Sequence, residues 1–270
     1  MQGRVLIIAG SDSGGGAGIQ ADIKTVTALG GYASTAITAL TAQNTLGVQA
    51  IHRVPLDFLR AQIGSVLSDL GADVIKTGML GDAATIEAVC DALEEFAPRI
   101  PVVVDPVMVA KGGARLLADD ALSTLKRRLL PRAVVLTPNL PEAEALCDMS
   151  ITDTSTMRHA AQVLLTLGVP AVLLKGGHLE GNELIDLLAS KARLDTFQST
   201  RIQTRHTHGT GCTTASAVAV GLAQGMELRD AVIRARAYVR AAILAAPCLG
   251  GGHGPLGHGV TMDPEKLARL

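Results

Sequence analysis

Aromatic side chains are scarce in this sequence, with two Tyr, three Phe and no Trp among 270 residues. Binding of single-stranded nucleic acid by base stacking depends on such rings, so that mode is excluded as the main one. The formal net charge of -1 also argues against a strongly basic nucleic-acid binder and against a polybasic membrane-surface protein. We therefore expect neither nucleic acid nor a membrane among its partners.

Long hydrophobic runs are also lacking. The apolar stretches at residues 5–9 and 102–104 are far shorter than the roughly 20 residues that a helix needs to cross a bilayer. The first residues lack the longer apolar segment and cleavage site of a secretory signal, so we expect residues 5–10 to be a buried strand.

Paired cysteine motifs are absent as well. The four cysteines are Cys90, Cys147, Cys212 and Cys248. None of them has CxxC spacing, which leaves a zinc or thioredoxin-type site without support. Scattered thiols without a secretory signal predict a cytoplasmic protein.

Short apolar runs alternate with longer amphipathic stretches through most of the chain. The predicted strands are residues 5–9, 35–40, 48–54, 74–78, 102–105, 133–137 and 171–175, and the predicted helices are 18–29, 56–70, 83–96, 119–129 and 155–167. An antiparallel pair (184–189 and 195–203), two long helices (210–224 and 228–245) and a flexible glycine-rich connector (250–254) are predicted to follow. This alternation predicts an α/β fold with a mostly parallel sheet, in a single domain over residues 1–270.

A glycine-rich loop at residues 10–18 follows the first predicted strand and opens a helix. Such a loop allows the backbone to approach a ligand closely. A dinucleotide site is disfavoured because no acidic residue occurs between Asp22 and Asp57, and a Gly-Lys-Ser/Thr phosphate-binding motif is absent. A plain turn, with Ser13 or Asp12 capping the helix, is the alternative interpretation.

Residues 207–212, THGTGC, precede the first of the two long helices. Small residues at a helix N-terminus expose consecutive N–H groups, which predicts an anion hole. Cys212 falls in the first turn of this helix, where we expect the pKa of its thiol to be lowered. A glycine-rich turn with a buried structural cysteine is the alternative.

Polar residues follow several predicted strands, at the edge where α/β folds bind ligands. Asn139 and Glu142 fit magnesium and phosphate binding, or plain helix initiation after Pro141. Lys175, beside two glycines, fits a polyphosphate or a solvated turn. Asp105 fits the same crevice or simply ends its strand.

Two further segments have less specific patterns. Residues 107–113, which follow Asp105, have the composition of a mobile lid. The Gln43 amide offers a donor and an acceptor, which fits either an aminopyrimidine edge or a turn.

Taken together, these segments resemble the hydroxymethylpyrimidine/phosphomethylpyrimidine kinases of thiamin biosynthesis, a ribokinase-like family. The matching segments are residues 9–22 (AGSDSGGGAGIQAD), 38–45 (TALTAQNT), 76–80 (KTGML), 105–108 (DPVM), 137–142 (TPNLPE) and 208–212 (HGTGC). The resemblance covers about residues 4–250. It implies a three-layer α/β/α fold, a homodimer, and two successive ATP-dependent phosphorylations with Mg²⁺.

The resemblance also implies roles for individual residues. Gln43 would read the pyrimidine ring, with Gly10, Asp22, Met79 and Val107 around it. The anion hole and catalytic group would be Gly209, Thr210, Gly211 and Cys212. The ATP phosphates would meet Asn139, Lys175 and Thr207. The metal would be placed by Glu142, with Asp105 as a further candidate.

Two other functions remain open from the sequence. A pyridoxal or pyridoxine kinase of the same superfamily is the nearer one, but Ala110 stands where some such enzymes carry a lid cysteine. A non-catalytic nucleotide- or vitamin-binding regulator is the other, and ligand binding without ATP turnover would distinguish it.

Overall fold

The structure is a computed structural model, and it describes residues 2–109, 113, 116–118, 120–179 and 181–262. The strands are β1 (Arg4–Asp12), β2 (Tyr32–Asn44), β3 (Gly47–Arg53), β4 (Val74–Thr77), β5 (Val102–Val104), β6 (Ala133–Leu136), β7 (Ala171–Lys175), β8 (Glu183–Ser190) and β9 (Leu194–Thr200). They form one sheet in the order β3-β2-β1-β4-β5-β6-β7-β8-β9. The strands from β2 to β7 in this order are parallel, while β3 and β8 pair antiparallel with their neighbours.

Helices cover both faces of this sheet. They are α1 (Gly18–Ala28), α2 (Leu56–Asp69), α3 (Ala83–Phe96), α4 (Ala121–Thr124), α5 (Leu140–Cys147), α6 (Thr154–Leu165), α7 (Thr210–Ala223) and α8 (Leu228–Leu244). One hydrophobic cluster lies under α1, α7 and α8, and a second lies under α2 to α6. The predicted three-layer α/β/α fold with a mostly parallel sheet is thereby confirmed. None of the described helices has the length and hydropathy of a membrane span.

The central strands are apolar on both sides because each side faces a different core. In β1, Leu6 and Ile8 belong to one cluster while Val5 and Ile7 belong to the other, as the two-residue period of a strand requires. Helix α7 is built mainly from small residues and is buried along most of its length. A Cβ on Gly221 would stand 2.7 Å from the Cβ of Ala231 in α8, so small side chains let α7 pack closely and fix its N-terminus.

Several local predictions differ from the structure. The predicted helix 119–129 is a short α4, a π-helical turn (Leu125–Leu129) and a 3-10 turn (Leu130–Arg132); residue 119 lies outside the described residues. Strand β1 continues through Asp12, so Gly10 belongs to the strand and not to a loop.

The segment 250–254, predicted to be a flexible connector, is held by hydrogen bonds. His253 N–H donates to the carbonyl of Thr45 at 2.9 Å, and the Gly254 carbonyl accepts from His208 N–H at 3.1 Å. A 3-10 turn (His258–Thr261) then packs against α1 and α8. The tail therefore joins β2 to the loop before α7.

Candidate active site

A cavity of about 1260 Å³ lies at the carboxyl edge of the parallel strands, where α/β sheets bind ligands. Its size exceeds the roughly 300–1000 Å³ of an ordinary small-molecule pocket, so it has room for two ligands. The predicted site residues that line it are Gly10, Gln43, Met79, Asp105, Val107, Asn139, Glu142, Lys175, Thr207, Gly209, Thr210, Gly211 and Cys212.

Asp22 is the predicted site residue that does not line the cavity. Its side chain is fully buried behind the wall, where both carboxylate oxygens lie 2.9 Å from Lys76 Nζ. The Ser216 hydroxyl of α7 donates to it at 2.7 Å. The prediction that Asp22 lines the ring pocket is therefore wrong. Helix α1 directs its side chain toward the buried ammonium group of Lys76, with which the carboxylate forms an ion pair.

Backbone contact between two glycine segments fixes the start of α7. Gly209 adopts φ +84°, a left-handed conformation that favours glycine, and any Cβ there would overlap the Gly16 carbonyl. The first N–H groups of a helix point out of its N-terminus, at the positive end of the dipole. Gly209, Thr210, Gly211 and Cys212 therefore present that end to the cavity.

Cys212 lies in the first turn of α7, but its thiol is not acidic. Burial raises its pKa to about 12, and the carboxylates of Asp22 and Asp105 act in the same direction. The charge of Lys76 and a hydrogen bond from the Gly18 N–H lower it, but by less. The predicted lowering of this pKa is wrong, because the free energy cost of burying a thiolate exceeds the stabilisation that the helix N-terminus and Lys76 give to its charge.

A cation and two acidic groups meet beside this helix terminus. Lys175 Nζ lies 3.4 Å from Asp105 Oδ1, and a Cβ on Gly211 would stand 3.3 Å from the same Nζ. Burial lowers the pKa of Lys175, but the carboxylates of Asp105 and Glu142 raise it above its ordinary value overall. Lys175 is therefore a charged ammonium group next to the N-terminus of α7.

Asn139 and Glu142 form a capping box at the start of α5. Glu142 N–H donates to Asn139 Oδ1 at 2.9 Å, and Asn139 N–H donates to Glu142 Oε2 at 2.8 Å. Burial raises the pKa of Glu142 to about 7, although Lys175 opposes the shift. The helix-initiation interpretation thus holds, and both side chains also line the cavity.

Asp105 has one oxygen that the protein leaves free. Its Oδ2 is buried and has no hydrogen-bond partner within the described residues. The ammonium group of Lys76 is 4.0 Å from this oxygen, and a Cβ on Gly211 would also stand 4.0 Å from it. A buried carboxylate oxygen without a partner is costly, and it fits the hard oxygen ligands that Mg²⁺ takes.

The other end of the cavity is lined by Gly10, Gln43, Met79 and Val107. Close packing explains Gly10, because a Cβ there would stand 3.0 Å from Met79 Sδ. Of the predicted lid, residues 110–112 lie outside the described residues. The flanking Met108 carbonyl accepts hydrogen bonds from the N–H groups of Leu116 and Leu117 at 2.8 and 3.1 Å.

Sequence reasoning missed two parts of this site. Asp12 and His208 meet beside Gln43, with His208 Nε2 at 2.9 Å from Asp12 Oδ2. Beyond Lys175 the cavity also continues between β8, β9 and α8, along Leu184, Ile202, Ile233, Ala237 and Ile243. No sequence signal marks this apolar arm. Asp12 could have been predicted as a site residue, because it is the acidic residue within the glycine-rich segment.

The remaining histidines show no metal site. Within the described residues, no group of three or more His, Cys, Asp or Glu side chains is placed to hold an ion. Of the other histidines, His206 and His258 are buried while His52 and His159 are exposed.

The fold and the site together define a kinase of the ribokinase-like class. A family model described as phosphomethylpyrimidine kinase matches residues 12–257, and the chain belongs to this family. It is 56% identical to the thiamine biosynthesis bifunctional protein ThiED of Geobacter sulfurreducens, covering 95% of this chain but only 52% of that protein. It is 49% identical to a hydroxymethylpyrimidine/phosphomethylpyrimidine kinase of Streptomyces coelicolor, covering 94% of each.

Among solved structures, an ADP complex of Bacillus subtilis pyridoxal kinase is similar in fold. It superposes with a TM-score of 0.89 and 36% identity, over 96% of this chain and 98% of that chain. The family assignment therefore comes from sequence, while the fold is shared with kinases that carry another substrate in their names.

Proposed function

We propose that the protein transfers phosphate from ATP to 4-amino-5-hydroxymethyl-2-methylpyrimidine, and then a second phosphate to the monophosphate. The observation that carries this proposal is one continuous cavity, which is lined by Gln43, the N-terminus of α7, Lys175 and the apolar arm. This arrangement suits a ring at one end, a nucleotide at the other and a phosphoryl group between them.

The residues divide along the cavity by their chemistry. Gln43, Met79, Val107 and Gly10 surround the ring, without an aromatic cage. The N–H groups from Gly209 to Cys212 stabilise the charge that develops on the transferred group. Lys175, Asn139 and Thr207 meet the phosphates of ATP. The apolar arm between β8, β9 and α8 takes the adenine.

The free oxygen of Asp105, together with Glu142, would hold a Mg²⁺ ion, since carboxylate oxygens are the ligands that this ion takes. When bound, Mg²⁺ neutralises phosphate charge. The protein itself supplies a compact, partly buried setting in which Lys175 holds the phosphates beside the helix terminus. Catalysis is then mainly positional and electrostatic.

The test is ATP turnover with three separate acceptors: the hydroxymethylpyrimidine, its monophosphate and pyridoxal, with products resolved by chromatography. We expect monophosphate from the first acceptor and diphosphate from the second. Absence of the diphosphate would refute the main proposal. Binding of the pyrimidine without ATP consumption would favour the non-catalytic regulator.

Pyridoxal phosphorylation is the second candidate, because the fold superposes on a pyridoxal kinase at a TM-score of 0.89. The lid position that some pyridoxal kinases fill with cysteine is Ala110 in this sequence, and it lies outside the described residues. Without that thiol, an aldehyde has no group there to trap it. Efficient turnover of pyridoxal alone would reverse the assignment.

We further propose that the protein acts as a homodimer in the cytoplasm. The four cysteines are free thiols, as a reducing compartment would keep them. Strand β3 is an edge strand, and Leu46 before it and Ile51 within it are exposed; pairing with a second copy would cover them. Light scattering after size exclusion measures the mass, and a value near 27.8 kDa would contradict the dimer.

A further inference from the structure

The carboxylate of Asp12 is surrounded by hydrogen-bond donors, so it acts as an acceptor only. Backbone N–H groups donate to it at 2.8–3.0 Å from Gly14, Gly16 and Ala17. Burial alone would raise its pKa, but these donors and His208 lower it below the ordinary value. Asp12 is therefore ionised and offers no proton to a neighbour.

His208 Nε2 lies 2.9 Å from Asp12 Oδ2. Because an ionised carboxylate is an acceptor only, Nε2 carries the hydrogen of this contact, whether the imidazole is neutral or charged. Gln43 Nε2 stands 3.3 Å from the same His208 atom. Two donors then face one another, so neither satisfies the other.

The other end of the Gln43 amide has a similar mismatch. Thr41 has one hydroxyl proton, and its Oγ1 lies 2.9 Å from the Ser11 carbonyl and 3.2 Å from Gln43 Oε1. The shorter contact takes the proton, so Thr41 Oγ1 faces Gln43 with lone pairs only. Turning the amide by 180° about its last bond exchanges its oxygen and nitrogen, and it turns both mismatches into hydrogen bonds.

We propose that His208 is a specificity-determining residue: with Asp12 it holds the Gln43 amide with its oxygen toward His208 and its nitrogen toward Thr41. The chain of donors then runs without conflict. Thr41 donates to Ser11 and Gln43 donates to Thr41. The single N–H of His208 Nε2 points to Asp12 at 2.9 Å and is shared, as a longer three-centre contact of 3.3 Å, with the Gln43 oxygen. One N–H on the Thr41 side and one oxygen lone pair on the His208 side remain for a ligand.

This orientation, resting on the proposed function, dictates how the ring enters. A ring with an amino group next to an acceptor nitrogen must place the amino group on the His208 side and the nitrogen on the Thr41 side. In the proposed substrate the hydroxymethyl carbon neighbours the amino carbon on the side away from that nitrogen. The reacting hydroxyl is thereby directed to the His208 side, where Gly209 begins the anion hole.

Neutron crystallography of the deuterated, ligand-free protein tests the amide directly. We expect two deuterons on the Gln43 atom that faces Thr41 and one deuteron on His208 Nε2. Two deuterons on the atom that faces His208 would overturn the proposal. This measurement needs neither substrate nor turnover, so it fails independently of the proposed function.

Ligand binding tests the consequence for the ring. Two analogues of the pyrimidine are compared with the parent by calorimetry: one without the amino group and one with C–H in place of the adjacent ring nitrogen. In the wild-type protein we expect each deletion to weaken binding about tenfold, the value of one good hydrogen bond.

The variants His208→Phe and Thr41→Val test which end of the Gln43 amide binds the amino group and which binds the ring nitrogen. In His208→Phe, removing the amino group should cost less than about threefold, while removing the ring nitrogen still costs about tenfold. Thr41→Val should show the reverse, and Thr35→Val, the same change in β2 away from the cavity, should match the wild type. The orientation would be overturned if His208→Phe reduced the cost of removing the ring nitrogen and Thr41→Val that of removing the amino group, or if neither variant changed either cost. A wild-type protein that binds none of the pyrimidines would overturn the proposed substrate class.

Discussion

At the reacting end of the cavity, Cys212 is a thiol at neutral pH because burial raises its pKa to about 12. A thiol takes up the proton of an alcohol acceptor only by passing its own proton on, to an oxygen of the transferred phosphate, whereas a phosphate acceptor is already anionic and needs no such relay. We therefore predict that Cys212→Ala slows phosphorylation of the hydroxymethylpyrimidine by about 10²-fold or more and affects that of its monophosphate much less. Each step is measured with its own purified acceptor.

Cys212→Ser, which keeps a proton-carrying group of similar shape, is the matched control and should lose less in the first step than Cys212→Ala. Equal losses in the two steps for Cys212→Ala would assign Cys212 to packing of the anion hole instead.

The buried environment of Lys76 predicts the effect of its replacement on stability. It is fully buried, and it pairs with Asp22 at 2.9 Å and faces Asp105 at 4.0 Å. Removing one partner of a buried pair leaves an uncompensated charge. Lys76→Met should therefore lower the free energy of unfolding by about 3–5 kcal/mol, measured by urea denaturation.

Lys191→Met, at an exposed turn, is the control and should change stability by less than about 0.5 kcal/mol. In the double variant Lys76→Met/Asp22→Leu, part of the loss should return, because the Asp22 carboxylate is removed with its partner and Asp105 keeps Lys175 at 3.4 Å. A stability of Lys76→Met equal to that of the wild type would show that the pair is not needed to hold α1 and α7 to the sheet.

The sequence predicted the residues that sit in continuous motifs. Gln43 and Lys175 lie at the carboxyl ends of β2 and β7, and Gly209 precedes α7; such positions can be predicted from the order of elements. The neighbours Asp12 and His208 were missed because the fold, not the sequence, brings them together. Asp22 was misplaced because the motif does not tell which way a helical side chain faces.

At the scale of elements, the N-terminus of α7 depends on the glycine contact beneath it. Gly209 and Gly225 share nearly the same left-handed φ, +84° and +83°. A Cβ would meet the Gly16 backbone at Gly209 but finds nothing within 4 Å at Gly225. We predict that Gly225→Ala costs about 1–2 kcal/mol of stability with turnover unchanged.

Gly209→Ala should cost at least as much stability and also lower kcat/KM by about 100-fold, because moving a donor of the anion hole has that effect. Steady-state kinetics and denaturation of the two variants together make the comparison. Equal kcat/KM values for Gly209→Ala and Gly225→Ala would mean that the loop relieves the clash at residue 209 without moving the start of α7.

The turn at His258–Thr261 connects the tail to α7. His258 Nε2 lies 2.9 Å from Thr213 Oγ1, and burial, aided by the charge of Lys24, lowers the pKa of His258 to about 4. In the unfolded chain the group titrates near 6.5, so its stabilising effect is complete above that pH and is lost as pH falls toward 4. We predict a loss of up to about 3 kcal/mol over this window.

His258→Gln, which keeps a hydrogen-bonding group for Thr213, should flatten this part of the stability-against-pH curve. His159→Gln, at an exposed position, should leave the curve as in the wild type. Thermal unfolding between pH 4 and 7 measures both, and an unchanged slope in His258→Gln would contradict the prediction.

Periodicity also explains which elements were predicted well. Strands that are apolar throughout, such as β5, or apolar up to their last residue, such as β7, are separated by amphipathic helices, and this pattern is strong in the sequence. The helix predicted at 119–129 was wrong in detail because only Ala121–Thr124 is α-helical. The chain continues in π geometry and then, around Pro131, in a 3-10 turn that extends past residue 129. The tail was mistaken for a connector because its glycines signal close contact as well as flexibility.

For the whole molecule, one sheet separates two hydrophobic clusters, and strands such as β1 contribute to both. We propose that the chain is a single domain, and we predict one cooperative unfolding transition. Calorimetric and van't Hoff enthalpies should agree for a ligand-free sample at fixed protein concentration. Two resolved transitions would show that the β8–β9 side unfolds separately.

The contact between Gly16 and Gly209 has a consequence for how such proteins diverge. It joins the loop near the ring to the start of α7 through backbone atoms alone, so no side-chain replacement elsewhere in the pocket alters it. Mutations around Met79 or Val107 can reshape the room for a ring while the reach from ring to phosphate stays the same. A gene copy can thus change the shape of the pocket at Met79 or Val107 while the backbone contact that positions the start of α7 is kept.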